Sequence, residues 1–298
     1  MVGTNVALHE HLSTNKYRGE KWVFDEVIDI AKKRLGNNGV LVVSGFADGR
    51  LVSDRRYETF VDRPSKRYSK NDLDGRATLV QGKGTSLLVV NGLEAEFGEG
   101  IDSGSLLVMG LERDGGLKAG RDVNHNFLLG QLPEDSFSFY VHPFHHGGSG
   151  PFLDKVLRER GAEPYLAPVD GVEVFNAQAC LPVPGYFNAN HEAVRFFYRA
   201  VKEGFRLSPV KGSDGHSLWE LGNVFTVLPV KMDLEKWVSW HDAYVDMKVR
   251  FEYNEKCPVP ESLYGTGRDS LCGVLGATKH AFALAVGRKL GFPKKEDW

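Results

Sequence analysis

The sequence predicts an α/β fold built as a (β/α) barrel, and three observations point there. Short apolar runs of strand type alternate with segments whose apolar residues recur at helical spacing, the chain opens strand, helix, strand, and several His, Asp and Glu residues stand immediately after the apolar runs. About eight such runs with intervening helices in roughly 230 residues suit a barrel better than a two-sheet sandwich.

Val6, Ala7 and Leu8 form the first run, which ends at His9. Segment 23–35 then carries Val23, Val27, Ile28, Ala31 and Leu35 at helical spacing, with Gly36 as its stop, and Val40, Leu41, Val42 and Val43 make a buried-type strand. A helical crossover is what lets two such strands pair in parallel. Residues 50–83 break the pattern with nine Arg or Lys against five Asp or Glu and read as a basic insertion or loop. Its charge, with Tyr57, Phe60 and Tyr68, suits a nucleotide or single strand held by attraction and stacking, and equally a solvated loop.

Further strands are expected at 86–90, 106–109, 137–141, 172–175, 207–210 and 224–228. Between the fourth and fifth of these, segment 191–202 places Val194, Phe197, Tyr198 and Val201 on one helical face, with Gly204 as the stop. The chain divides into a barrel over residues 1–234 and a C-terminal helical extension, 235–298, packed on it, in which Leu271, Val274, Leu275, Phe282 and Val286 lie at helical spacing.

The 298 residues, 42% of them hydrophobic, are enough for a substantial core. A formal charge of -2 gives no global basic footprint, so affinity for phosphates must come from a local cluster. Cys180, Cys257 and Cys272 are odd in number and far apart, which fits neither a disulfide framework nor a Cys-x-x-Cys zinc site. With neither a leader pattern at the N-terminus nor an apolar stretch long enough to span a bilayer, a cytoplasmic location and no membrane partner are expected.

The chemistry lies at the strand ends. Side chains at i and i+2 of an extended segment share a face, so His9 and His11 project together, as do Asp214 and His216. Glu94 and His142 also follow apolar runs, and Pro143, which cannot donate to a ladder, suits the end of a strand. One His-x-His pair is a weak signal. A barrel, however, gathers the ends of different strands on one face, and imidazole with carboxylate is the ligand set of zinc, manganese or iron. His145 and His146 stand in a Gly-rich loop as outer ligands, acid–base groups or exposed residues, whereas His125, His191, His241 and His280 read as packing or surface residues. Gly82-Lys83-Gly84 and Gly265-Thr266-Gly267 complete no dinucleotide or phosphate-loop pattern, and no Gly-x-Ser-x-Gly elbow is present.

The order His9-x-His11, Gly92-Leu93-Glu94, Val141-His142-Pro143, Gly171-Val172-Glu173-Val174-Phe175-Asn176 and Gly212-Ser213-Asp214-Gly215-His216 resembles the polymerase and histidinol phosphatase (PHP) superfamily over about residues 6–229. The resemblance implies a distorted (β/α)7 TIM-like barrel with one to three divalent metal ions, and hydrolysis of phosphate esters, either small phosphomonoesters or nucleotides, with nucleic acid as a further partner class. Carried over, His9, His11, Glu94 and Asp214 would hold one metal, Glu94 and His142 a second, and His216 would belong to a third; Glu173 would orient ligands. Lys16, Arg18, Arg50 and Lys211 are the basic candidates for the phosphate, and His145 and His146 for the leaving group.

The chain departs from the family pattern after His11, where the usual Ser-Asp-Gly is missing, and at residues 43–48, where Thr-Asp-His is replaced. Glu20, Asp48 and Asn176 are the nearest polar substitutes. Two other readings compete: an amidohydrolase-type metallohydrolase, for which a central strand-end lysine is wanting, and a partly degenerate barrel acting as a scaffold or RNA-binding subunit.

Overall fold

The computed structural model describes residues 3–11, 23–47, 56–82, 84–113, 116–145, 148–159, 161–177, 189–215 and 220–254. In chain order the elements are β1 (Thr4–Glu10), α1 (Phe24–Leu35), β2 (Gly39–Ala47), α2 (Arg56–Val61), β3 (Ser69–Leu73), β4 (Ala77–Gly82), β5 (Thr85–Phe97), β6 (Gly104–Met109), α3 (His125–Leu129), β7 (Phe137–Tyr140), α4 (Gly150–Arg158), α5 (Glu163–Leu166), β8 (Gly171–Asn176), α6 (Ala189–Lys202), β9 (Ser208–Gly212), β10 (Thr226–Leu228) and α7 (Trp240–Asn254).

One mixed sheet runs β10-β1-β2-β5-β6-β7-β8-β9 and nearly closes into a barrel. Closure is made where the chain beyond β9 meets β1: Gly215 pairs with Glu10, and its amide donates to the His9 carbonyl at 3.3 Å. β1, β2 and β5 are parallel, as the opening strand, helix, strand order predicts. So are β7, β8 and β9, whereas β5, β6 and β7 run antiparallel.

Period-two alternation sorts the strand residues into two environments. Val6, Leu8, Val40, Val42, Leu88, Val90, Leu107, Phe137, Phe139 and Val210 fill the barrel. Ala7, Leu41, Val43, Leu87 and Val89 point outward onto Val27, Ile28 and Ala31 of α1 and onto Tyr57 and Phe60 of α2. α1 fits its place electrostatically as well, with Asp25 and Glu26 in its first turn and Lys32, Lys33 and Arg34 in its last.

The end of the barrel where β1 begins is plugged from within the chain. Met232, Leu234 and Trp237 lead into α7, whose Trp240, Ala243, Met247 and Phe251 lie at helical spacing and join the interior cluster. The Trp240 indole donates to the Asp135 carbonyl at 2.6 Å, and Lys248 pairs with Asp170. The expected helix through Leu271 and Val286 lies outside the described residues.

Two expectations need correcting. Of the two readings of the 50–83 segment, insertion or loop, the loop needs correcting among the described residues: α2 and the β3–β4 hairpin stand between β2 and β5, and the hairpin extends the sheet through β4 and β5. Its aromatics serve packing, since Tyr57 and Phe60 are buried and the Tyr68 hydroxyl donates to Asp29 at 2.5 Å. Several of its charges are also engaged, Arg67 by Asp25 and Asp29 and Lys70 by the carbonyls of Val61 and Arg63.

The second correction concerns α6, which buries Ala193, Phe196, Phe197 and Ala200, while Tyr198 and Val201 are 48% and 39% exposed. The face is turned because the small alanines let the helix lie close on the sheet, where Phe196 then fills the space. No helix among the described residues is long and apolar enough to cross a membrane.

Candidate metal centre

The open end of the barrel is polar because the interior-facing register continues into charged residues. Counting by twos from Leu88 and Val90 on β5 reaches Glu94; Val210 on β9 leads past Gly212 to Asp214; and Glu173 faces inward between the outward Val172 and Val174 of β8. β1 joins them through a bulge. Ala7 pairs with Leu41 and Glu10 with Val43, three steps against two, so the alternation shifts and the histidines turn toward the interior.

The result is a cluster of donor atoms. His9 and His11 rings lie 4.9 Å apart with their Nε2 atoms at 3.0 Å. Glu94 Oε2 is 3.1 Å from His11 Nε2 and 3.5 Å from His9 Nε2, and Asp214 Oδ1 is 3.6 and 3.8 Å from the same two nitrogens. The other oxygen of Glu94, Oε1, is 2.9 Å from His142 Nε2. His9, His11 and Glu94, and likewise His9, His142 and Asp214, form groups that could hold a metal ion.

The spacing and chemistry fit such an ion. Ligand bonds of 2.0–2.1 Å in tetrahedral geometry put donor atoms about 3.4 Å apart. The five separations among His9 Nε2, His11 Nε2, Glu94 Oε2 and Asp214 Oδ1 given above run from 3.0 to 3.8 Å and bracket that value. Without a cation the charges are balanced by protons. Burial works against the His9 imidazolium, but Asp214, Glu173 and Glu94 outweigh it and hold its pKa well above the ordinary value. For His142, burial is likewise overcome by Glu94, and its pKa rises to about 9. Burial alone would raise Glu94, yet His142, His11 and His9 keep it well below the usual carboxylate range.

Backbone strain marks the same place. His142 and Asp214 have φ of 32° and 49°, a left-handed region that non-glycine residues seldom adopt unless the surroundings enforce it. At His142 the enforcement comes from Glu173, whose Oε2 accepts the His142 backbone N–H at 2.5 Å and the Asn176 side-chain amide at 3.0 Å. Glu173 Oε1 is 3.6 Å from His9 Nδ1, the far side of the ring from the cluster, where carboxylates that orient a ligand stand. Gly212 makes room for it: a Cβ there would lie 2.0 Å from Glu173 Oε1 and 2.9 Å from His9 Cβ.

Of the residues expected from sequence, His9, His11, Glu94, His142 and Asp214 come together, while Arg18, His146 and His216, with Lys16, Glu20, Asp48 and Arg50, lie outside the described residues. The His145 ring is 5.8 Å from that of His142. His145 also lines a cleft of about 830 Å3 with Ile101, Phe144, Lys155 and Arg158. Lys211 Nζ is 5.9 Å from the centre of the Phe175 ring. Asn176 turns its amide to Glu173, and its backbone exchanges hydrogen bonds with Asn190.

Sequence reasoning missed Arg56, whose Nη1 is 3.4 Å from His11 Nδ1, and Glu10, a fully buried carboxylate between the two histidines. Burial raises the Glu10 pKa to about 8. Neither residue carried a usable signal, because their partners are distant in sequence. His125 is a packing residue. It lies among Phe97, Phe152 and Tyr165, shares a 2.7 Å hydrogen bond with the Tyr140 hydroxyl, and burial lowers its pKa to about 4.

No family model matches the sequence, and no curated protein matches it. Among solved structures, the chain is similar to the lesion-specific endonuclease PfuEndoQ from Pyrococcus furiosus, with a TM-score of 0.48 and 13% sequence identity. The match covers 83% of this chain and 56% of the endonuclease, so the chain spans little more than half the length of that protein.

Proposed function

We propose that the chain is a metal-dependent phosphoesterase of PHP type, hydrolysing a phosphate ester of a small molecule or nucleotide. The observation that carries this reading is the convergence of His9 Nε2, His11 Nε2, Glu94 Oε2 and Asp214 Oδ1 at ligand spacing, on strand ends whose positive-φ residues include His142 and Asp214. In this reading His9, His11, Glu94 and Asp214 would hold one ion, Glu94 and His142 a second, and His216 would belong to a third. Zinc, manganese and iron all suit the donor set.

A bound divalent ion supplies Lewis acidity toward phosphoryl oxygens and brings the pKa of water toward neutrality. The protein's own share is positioning and proton traffic. Glu173 holds the His142 backbone through its N–H and faces Nδ1 of His9 at 3.6 Å. His145, whose ring lies 5.8 Å from that of His142, is the residue we assign to proton donation to the leaving group, and His146 is the neighbouring candidate. Arg18 remains the basic group proposed to meet the phosphate, now joined by Arg56 next to His11, while Lys211 stands beside Phe175 on the face of β9 opposite to Val210 and is the weaker candidate. Both mononucleotides and nucleic-acid ends stand as substrate classes in this reading.

The test is hydrolysis of p-nitrophenyl phosphate, its bis-ester and a dinucleotide, with and without added manganese or zinc. Ion-dependent turnover of at least one, lost in Glu94→Gln, is expected. A chain that binds the ion and turns over none of them overturns the proposal.

A further inference from the structure

We infer that Glu10 is the positioning residue for Asp214, an inference that rests on the reading of Asp214 as a metal ligand. Glu10 sits between two candidate ligands but points away from them. Its Oε1 accepts from the Ser213 hydroxyl and, at 2.8 Å, from the Gly222 backbone N–H, so one oxygen ties both ends of the 213–222 segment to β1. Glu10 and Ser213 are both buried, so the two hydrogen bonds that Glu10 Oε1 accepts are not in competition with water.

The tie bears directly on Asp214. On one side of it Ser213 is held by the Glu10 carboxylate, and on the other the Gly215 N–H is held by the His9 carbonyl at 3.3 Å. Consecutive residues of β1 therefore grip the two neighbours of Asp214, while the His9 ring faces the Asp214 carboxylate at 3.8 Å. A residue at φ 49° keeps that conformation only when its surroundings over-determine it. The fit on the Glu10 side is close: a Cβ on Gly215 would stand 2.3 Å from Glu10 Oε2, so only glycine leaves room for the carboxylate.

β1 and the residue that follows it thus supply two candidate metal ligands from one face and, from the other, the bracket that aims a third contributed by residues some 200 positions later. A carboxylate acting through a ligand in this way is worth about 10- to 100-fold in metal affinity.

The test is zinc and manganese titration calorimetry on the full chain, with the melting temperature of the metal-free protein recorded alongside. Glu10→Gln, which keeps the accepting oxygen, is expected to bind like wild type. Glu10→Ala is expected to bind about 10- to 100-fold more weakly. In an Asp214→Asn background, Glu10→Ala is expected to add no further loss, because Glu10 acts only through Asp214. Should Glu10→Ala fail to fold, Ser213→Ala, which deletes one donor and leaves the carboxylate, is expected to weaken binding in the same non-additive way. If wild type binds no ion, the phosphoesterase reading falls. If wild type binds and Glu10→Ala or Ser213→Ala binds as tightly, or the loss persists in full beside Asp214→Asn, the role of Glu10 alone is overturned.

Discussion

His9 and His11 bring their Nε2 atoms to 3.0 Å of each other, with a Glu94 oxygen within 3.5 Å of both. Two ring nitrogens at that distance repel unless a proton or a cation lies between them. If the site is built for a cation, adding zinc or manganese to the metal-free chain stabilises it: about 2.7 kcal/mol at a free concentration of 100 times Kd, or roughly 5 °C in melting temperature. Scanning calorimetry is expected to show this rise in wild type and its absence in His11→Ala.

The charge state of His142 sets a pH dependence. Its folded pKa of about 9 lies above the ordinary histidine value of about 6.5, so the metal-free fold gains stability from its proton. That stability is fully present below about 6.5 and is lost as pH rises through about 9. An ion must displace the same proton, so apparent metal affinity is expected to climb over that interval. Calorimetry at pH 7.5 in buffers of different ionisation enthalpy should report net proton release on binding, and none from this residue in His142→Gln.

How much of this was legible in the sequence follows from what each residue's neighbours are. His9, His11, His142 and Asp214 were readable because a strand end is written locally, in an apolar run followed by a polar residue, and the barrel model then assembles them; Glu94 was found from the same kind of run, although β5 continues through it to Phe97. Glu10 was not, since its meaning depends on Ser213 and Gly222, which only the closure of the sheet brings to it. The antiparallel β5–β6–β7 stretch was hidden for a related reason: apolar runs reveal strands but not their direction. The turned face of α6 reflects a pattern weighted toward large side chains, when Ala193 and Ala200 are what sit against the core.

His125 predicts behaviour on the acid side. Held neutral until about pH 4 in the fold but titrating near 6.5 when unfolded, it lets the unfolded chain bind more protons between those values. Stability is therefore lost as pH falls from about 6.5 to about 4, by about 3 kcal/mol in all. His125→Phe, placed among Phe97, Phe152 and Tyr165, is expected to flatten that decline in urea unfolding series across the interval.

Trp240 tests the plug at the other end of the barrel. Its ring is buried in the interior cluster, its indole N–H is satisfied by Asp135, and its backbone N–H donates to Asp74 at 2.8 Å. Trp240→Ala is expected to cost about 3–5 kcal/mol in denaturant unfolding. Because Trp240 and the donor cluster occupy opposite ends of the barrel, the folded fraction should bind metal with unchanged affinity.

The central claim is that the strand-end cluster holds a divalent ion. Its most direct test is elemental analysis of the chain purified without chelator, run beside a His9→Ala/His11→Ala variant prepared identically. The account predicts about one or more equivalents of zinc, manganese or iron in wild type and a near-complete loss in the variant. Equal metal content in the two proteins would contradict it.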